Sequence, residues 1–268
     1  MAKNMKNGCV KIDDTDMYYV SFGQGPKKLV VLPGLSDGLA TVKGKAFLLS
    51  TSYKRFMKDH TVYIFSRKND MPEGYTIRQM AEDQAKAMKA LGIDKADVLG
   101  VSQGGMISQY LAIDHPQMVE KLILAVTAPN ANTVVKDAVS SWIDMAQKDD
   151  HVSLMVDTAE KMYSKAYLEK NRKYFPLIAK FTNPKSYDRF FKNAYAILGF
   201  DARGELREIC CPTLIIAGED DNTVGNEAPY LLSEGIKDSE LFIYKGLGHG
   251  TFEEAKDFYD RIYEFCER

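Results

Sequence analysis

Apolar residues in the first part of the chain fall in short runs divided by polar turns. Cys9–Asp13, Tyr18–Phe22, Lys28–Leu32, Thr61–Phe65 and Ala96–Val101 are rich in Val, Ile, Leu, Phe and Tyr, and each is too short for a helix of ordinary length. Such runs predict strands. Three more follow at Lys121–Val126, Thr213–Ala217 and Leu241–Tyr244. Between them the apolar positions recur at helical spacing, over Ile77–Leu91, an amphipathic Met106–Ile113 and Glu253–Glu267. Strands separated by helices predict an α/β fold: a doubly wound, mostly parallel eight-stranded sheet. The first two strands have no helix between them, so they predict an antiparallel hairpin at one edge.

From Pro129 to Glu205 the pattern turns wholly helical and loses any buried-strand signal. The expected division is a core of residues 1–128 and 206–268 with a helical lid inserted at 129–205. An insertion after the sixth strand would cover the C-terminal strand ends, where open α/β sheets take their ligands. The segment is loaded with aromatics. Most must pack lid helices together, and a few should line an apolar pocket, with Trp142, the only tryptophan, as first candidate. Lys165, Lys170, Arg172, Lys173, Lys180, Lys185, Arg189 and Lys192 face only Glu169 and Asp188 in this stretch. They read as a solvated helix face, or as a docking place for an anionic substrate or partner.

Composition narrows the classes. The chain has 268 residues, 45% of them hydrophobic, enough for one α/β domain with an insertion. A formal net charge of −2 predicts no general attraction to nucleic acid or to an anionic membrane. No apolar run approaches a spanning helix. The basic stretch Met1–Gly8 has no apolar segment behind it, so no signal peptide is expected and a cytoplasmic location follows. Cys9, Cys210, Cys211 and Cys266 lack metal-ligand or redox spacing, and Cys210-Cys211 reads as structural. Oligomeric state is not legible here.

The candidate chemistry centres on Gly100-Val101-Ser102-Gln103-Gly104, followed by Gly105. A strand that turns sharply into a helix through this spacing lifts the serine hydroxyl clear of the backbone, and the flanking residues must be small. A serine needs a base and a group to orient that base. Of the four histidines, His60 reads as a loop residue entering a strand, His115 as a helix-end residue facing carbonyls, and His151 as part of a polar stretch. His249 sits on the glycine-rich loop Gly246–Gly250 after a predicted strand, where it can swing over a neighbouring strand end. Between Ser102 and His249 the strand Thr213–Ala217 runs into Gly218-Glu219-Asp220-Asp221. Spacing favours Asp221 as the acid, with Asp220 in reserve and Glu219 third. An oxyanion would need two donors. The backbone N–H of Gln103, at the helix start, supplies one. The N–H of Leu35, after Pro33-Gly34 at the end of an apolar strand, supplies the other.

These pieces together resemble the α/β-hydrolase family over most of the chain: Leu32-Pro33-Gly34-Leu35, Gly100–Gly105, Gly218–Asp221 and Gly248-His249, with the helical stretches on either side of the elbow. The resemblance implies hydrolysis at an acyl or similar bond with no metal or organic cofactor. Four positions depart from common family patterns. Pro33-Gly34 stands where His-Gly is frequent. Ser66-Arg67-Lys68-Asn69-Asp70 stands where Asp-x-Arg-Gly-x-Gly is frequent. Val101 precedes the serine, and Gly225 follows the acid where a proline is often found. None removes a catalytic atom, and all leave the substrate open. Ser102 argues against the haloalkane dehalogenase branch, which uses aspartate. The expected activity is cleavage of a small or medium carboxylic ester, thioester or lactone through an acyl-enzyme. A C–C bond hydrolase, aminopeptidase or perhydrolase would share the triad. The reading from another class is a ligand-sensing receptor that signals to a protein partner through the lid, and slow turnover would distinguish it.

Overall fold

The computed structural model describes residues 4–268; Met1–Lys3, at the head of the N-terminal stretch weighed above, lie outside the described residues. Eight strands form one sheet: β1 (Lys6–Ile12), β2 (Thr15–Gly23), β3 (Lys27–Leu32), β4 (His60–Lys68), β5 (Ala96–Val101), β6 (Val119–Ala125), β7 (Thr213–Gly218) and β8 (Ser239–Tyr244). Their spatial order is β1-β2-β4-β3-β5-β6-β7-β8. β2 pairs antiparallel with both β1 and β4, and every other pairing is parallel. The helices are α1 (Ala46–Ser50), α2 (Ile77–Ala90), α3 (Gln103–Asp114), α4 (Thr133–Gln147), α5 (His151–Met162), α6 (Lys165–Asn171), α7 (Phe175–Thr182), α8 (Asp188–Leu198), α9 (Ala228–Gly235), α10 (Thr251–Glu254) and α11 (Phe258–Glu267).

The central strands are apolar on both faces, as a parallel sheet covered by helices on both sides requires. Val30, Leu32, Val98, Leu122, Leu124 and Ile215 pack into one core with residues of α2, α3 and α9. Leu29, Val31, Leu99, Ile123, Leu214 and Ile216 alternate into a second core with Ala46 of α1 and Phe258, Ile262 and Phe265 of α11.

Side chains fix the helix starts. Thr76 and Gln79 form a reciprocal cap on α2, Thr76 Oγ1 accepting from Gln79 N at 3.2 Å and Gln79 Oε1 from Thr76 N at 2.9 Å. Asn132, Asp150 and Ser164 cap α4, α5 and α6 in the same sense.

Several details differ from the sequence expectation. Met106–Ile113 is not amphipathic: α3 begins at Gln103 and is buried on all sides through Ile113, because the sheet lies on one side and α2 on another. Glu253–Glu267 is not one helix. Ala255 adopts an extended conformation (φ −80°, ψ 119°), so α10 stays with the His249 loop while α11 turns back across the sheet. The short helices α1 and α9 carry too few turns to show a period.

The helices α4 to α8 enter between β6 and β7, and the chain leaves and returns at one place. Ala131 N donates to Phe200 O and Ala202 N to Pro129 O, each at 2.8 Å, and Asn130 and Asp201 form an antiparallel bridge. No helix among the described residues is long and apolar enough to cross a membrane.

Candidate active site

β5 ends at Val101 and α3 begins at Gln103, so a single residue must reverse the chain. Ser102 does so at φ 54°, ψ −120°, a backbone conformation costly for a residue with a Cβ. Its N–H is tied to Ala125 O of the neighbouring strand at 2.9 Å, and its carbonyl accepts from the Thr127 hydroxyl at 2.7 Å. The turn fits only because its flanks are small: a Cβ on Gly104 would overlap the Leu32 carbonyl, and one on Gly105 would lie 2.6 Å from the Thr127 side chain.

Two neighbouring strand ends bring partners to this hydroxyl. The loop after β8 carries His249, whose Nε2 lies 3.0 Å from Ser102 Oγ. The turn after β7 carries Asp221, whose Oδ2 lies 2.8 Å from His249 Nδ1. Asp221 and His249 are both buried. The other carboxylate oxygen, Asp221 Oδ1, accepts from Thr223 N at 2.8 Å and Val224 N at 3.0 Å, which fixes the carboxylate plane. Asp220 and Glu219, the other acids of that turn, are exposed, and Glu219 instead accepts from Gly246 N at 3.2 Å. The geometry therefore runs in a line, carboxylate to imidazole to hydroxyl. Such a line can hold one imidazole tautomer with Nε2 free to take a proton.

Pro33-Gly34 lies directly against the serine: a Cβ on Gly34 would sit 3.2 Å from Ser102 Cβ. Leu35 opens a turn of 3-10 helix and Gln103 opens α3, so the N–H of each stands at a helix start, where no carbonyl of its own helix can reach it.

The Gln103 side chain turns away from the serine into a buried network that sequence reading missed. Gln103 Oε1 accepts from Arg67 Nη2 at 2.9 Å, and Gln103 Nε2 donates to Asn193 O of α8 at 3.0 Å. Arg67 is 1% exposed, and the same Nη2 also donates to Pro33 O at 2.6 Å. Asp37 Oδ2 accepts from Arg67 N at 3.0 Å and from Arg189 Nη2 of α8 at 2.7 Å. Arg189 further donates to the carbonyls of Asp37, Arg67 and Lys68. Burial pushes the Arg67 guanidinium down to about 10, with Asp37 opposing, so it keeps its charge at neutral pH. Arg67 thus grips both segments that carry the Leu35 and Gln103 N–H groups. A lone arginine after a strand reads as a surface residue, and the two partners of its guanidinium, the Pro33 carbonyl and the Gln103 side-chain amide, lie more than thirty residues away in the chain, where no local pattern reveals them.

Arg189 and Lys192 therefore leave the basic face expected for residues 165–192, since Lys192 Nζ is spent on Met71 O at 2.6 Å. The remaining histidines also differ from expectation. His60 is the first residue of β4 with a fully buried ring; His151 opens α5, buried, with Nδ1 2.9 Å from the Tyr187 hydroxyl; His115 meets Glu82 Oε2 at 2.8 Å rather than helix carbonyls.

A cavity of 360 Å³ opens over Ser102 and His249. Its walls are mostly apolar, from Leu35, Leu39, Val101 and Phe252 of the core and Trp142, Leu154, Met155 and Phe190 of the inserted helices. Trp142 keeps its indole N–H satisfied by Asp157 Oδ2 at 2.8 Å, which leaves the ring as an apolar surface. Among the described residues, no lysine or arginine lines the cavity, and Glu253 does.

Known proteins place this arrangement. A family model described as alpha/beta hydrolase fold matches residues 63–256. The AB hydrolase superfamily protein YisY of Bacillus subtilis is 30% identical over 200 residues, spanning 71% of this chain and 73% of that protein. "Putative carbamate hydrolase RutD" of Azorhizobium caulinodans is 24% identical over 259 residues, spanning 94% of this chain and 96% of that one. Among solved structures, MGS-M2, an alpha/beta hydrolase enzyme from a deep-sea metagenome library, superposes with a TM-score of 0.86 at 21% identity, covering 97% of this chain and 98% of that chain. The strand order, the elbow at Ser102 and the match across most of its length together establish that the chain belongs to the alpha/beta hydrolase fold family.

Proposed function

We propose that this hydrolase cleaves small or medium neutral carboxylic esters, with thioesters and lactones as close variants, through an acyl-enzyme on Ser102. The observation that carries the reading is the line Asp221–His249–Ser102 at the floor of an apolar cavity. Ser102 Oγ attacks the carbonyl carbon while His249 Nε2 takes the hydroxyl proton. Asp221 holds the ring and offsets the imidazolium charge. The N–H groups of Leu35 and Gln103 receive the oxyanion as the tetrahedral intermediate forms. His249 then gives its proton to the leaving alcohol, and water, activated by the same ring, releases the acid and restores the serine.

The helices α4 to α8 act as a lid in this scheme, with Trp142 a wall of the acyl pocket. The RutD relatives raise carbamate as an alternative substrate. An anionic carbamate would meet no lysine or arginine among the described residues that line the cavity and would face Glu253, so the lining favours a neutral acyl group.

The test is labelling with a fluorophosphonate probe, followed by turnover of an ester series of rising acyl length and of matched carbamates. The expected result is a single adduct at Ser102, absent in Ser102→Ala, and multiple turnover on esters. An adduct elsewhere, unchanged labelling of Ser102→Ala, or turnover of carbamates alone refutes the reading.

A further inference from the structure

The outermost helix of the insertion presents an unexpected face. α7 packs on α5 through one side only: Phe175 stacks on Tyr163 with ring centroids 5.9 Å apart, Ala179 is buried, and Thr182 Oγ1 lies 3.2 Å from His151 Nε2. The other side carries Tyr174, Leu177, Ile178 and Phe181, at the i, i+3, i+4, i+7 spacing of a core-facing stripe. Here the stripe faces outward, and Phe181 is 82% exposed. Lone exposed apolar residues are ordinary, but a contiguous stripe on a helix marks a contact surface.

The surroundings identify the partner. Lys165, Lys170, Arg172, Lys173, Lys180 and Lys185 are exposed in and around this helix. Among the described residues only Arg172 of these six is ion-paired, with Glu160. Lysine is depleted at protein–protein interfaces, whereas a lysine-rich rim around Phe and Leu is the composition of a helix lying in a lipid interface. The formal charge of −2 averages over the whole chain and hides this basic end.

We propose that the outer face of α7 docks on an anionic lipid bilayer, with Leu177, Ile178 and Phe181 entering the headgroup boundary and the lysines meeting the anionic headgroups. α7 rests on α5, and α5 supplies Leu154, Met155, Thr158 and Met162 to the cavity wall. Docking therefore sets the wall of the cavity one helix away from the lipid. The docking itself does not depend on the hydrolytic reading, and its test needs no turnover.

The experiment is sedimentation of the full chain with vesicles of phosphatidylcholine alone or mixed with phosphatidylglycerol. Binding is expected to the mixed vesicles, weaker to the neutral ones, and to fall as salt screens the lysines. Phe181→Asp, at a site too exposed to carry folding, should lower partitioning about tenfold or more. Lys180→Glu should lower it at least about fivefold. Tyr230→Asp on α9, an exposed aromatic off this face, should leave it unchanged. The proposal is overturned if mixed vesicles are not bound, or if Phe181→Asp binds as well as the parent. It is equally overturned if the protein ignores vesicles and Phe181→Asp instead dissolves a dimer seen by sedimentation velocity, which would assign the face to a second copy of the chain.

Discussion

Asp97→Asn should stabilise this protein at neutral pH and lose that advantage in acid. Asp97 lies near the start of β5, opposite Leu29 of β3 and far along the strand from Ser102. It is 6% exposed, and its Oδ1 has no hydrogen-bond partner among the described residues. Burial raises its carboxyl to about 6, against the pull of the Cys266 thiol and Lys121. The folded value stands about two units above the unfolded one, so ionising Asp97 in the folded protein costs about 3 kcal/mol at pH 7. With the folded pKa the higher, the folded state holds more protons between about pH 4 and pH 6, and stability falls as pH rises through that window. His60, buried beside it with Nε2 3.9 Å from Asp97 Oδ2, has the opposite sign. Burial lowers its pKa, so its contribution falls as pH drops below about 6.5. Asparagine keeps the shape and removes only the first effect. Urea unfolding at a series of pH values reads the difference directly. The variant should gain up to about 3 kcal/mol above pH 7, a net figure in which the opposing pull of Cys266 and Lys121 is already included, and the gain should shrink toward zero near pH 4. A gain that is constant with pH, or a loss at neutral pH that does not change in acid, would refute the reasoning.

Two further predictions concern the site. Asp221→Asn should lower kcat on an ester substrate by about 10⁴, since the amide favours the wrong imidazole tautomer, while exposed Asp220→Asn should change it little; steady-state kinetics of the pair checks the ranking. Arg67→Met should destabilise the fold by about 2–5 kcal/mol, because Pro33 O and Gln103 Oε1 lose their donor and the charge beside Asp37 is removed, while the bonds of Asp37 to the residue-67 N–H and to Arg189 remain. At a temperature where the variant remains folded, its kcat should fall more than its KM rises, because the Leu35 and Gln103 segments lose their shared anchor; a variant with reduced stability and unchanged kcat would separate the anchor from catalysis.

Much of this arrangement was legible in the chain because it depends on close approach. Gly100, Gly104 and Gly105 are spaced as a strand-to-helix reversal needs, and the glycines around His249 and before Asp221 mark strand ends that touch: a Cβ on Gly218 would overlap the Leu247 and Gly248 carbonyls. Small residues at forced contacts leave a readable trace. The residues singled out from that trace, Ser102, Asp221 and His249, lie within hydrogen-bonding reach of one another. Buried polar groups leave no such trace. Arg67, His60 and His151 each look like solvated residues in sequence, and their burial depends on elements far away in the chain. The break at Ala255 was equally hidden, because nothing in Thr251–Glu267 forbids a continuous helix; tertiary contacts impose it, among them the Ser164 N–H donating to Glu254 Oε1 at 3.0 Å.

The neck at Asn130 and Asp201 has a consequence for how such a protein diversifies. Its two ends are pinned together by backbone bonds whose formation does not depend on side-chain identity. The entropy of closing a loop grows only with the logarithm of its length, so residues can be added or removed between these points at little cost to the sheet. A foreign helical cap joined at the same bridge would inherit the register of β6 and β7 unchanged. The constraint on such a graft is Arg189, whose bonds to Asp37, Arg67 and Lys68 stitch the cap to the layer beneath. A transplant that carries this arginine on its last helix keeps the stitch, and one that omits it leaves the Asp37 carboxylate facing Arg67 alone.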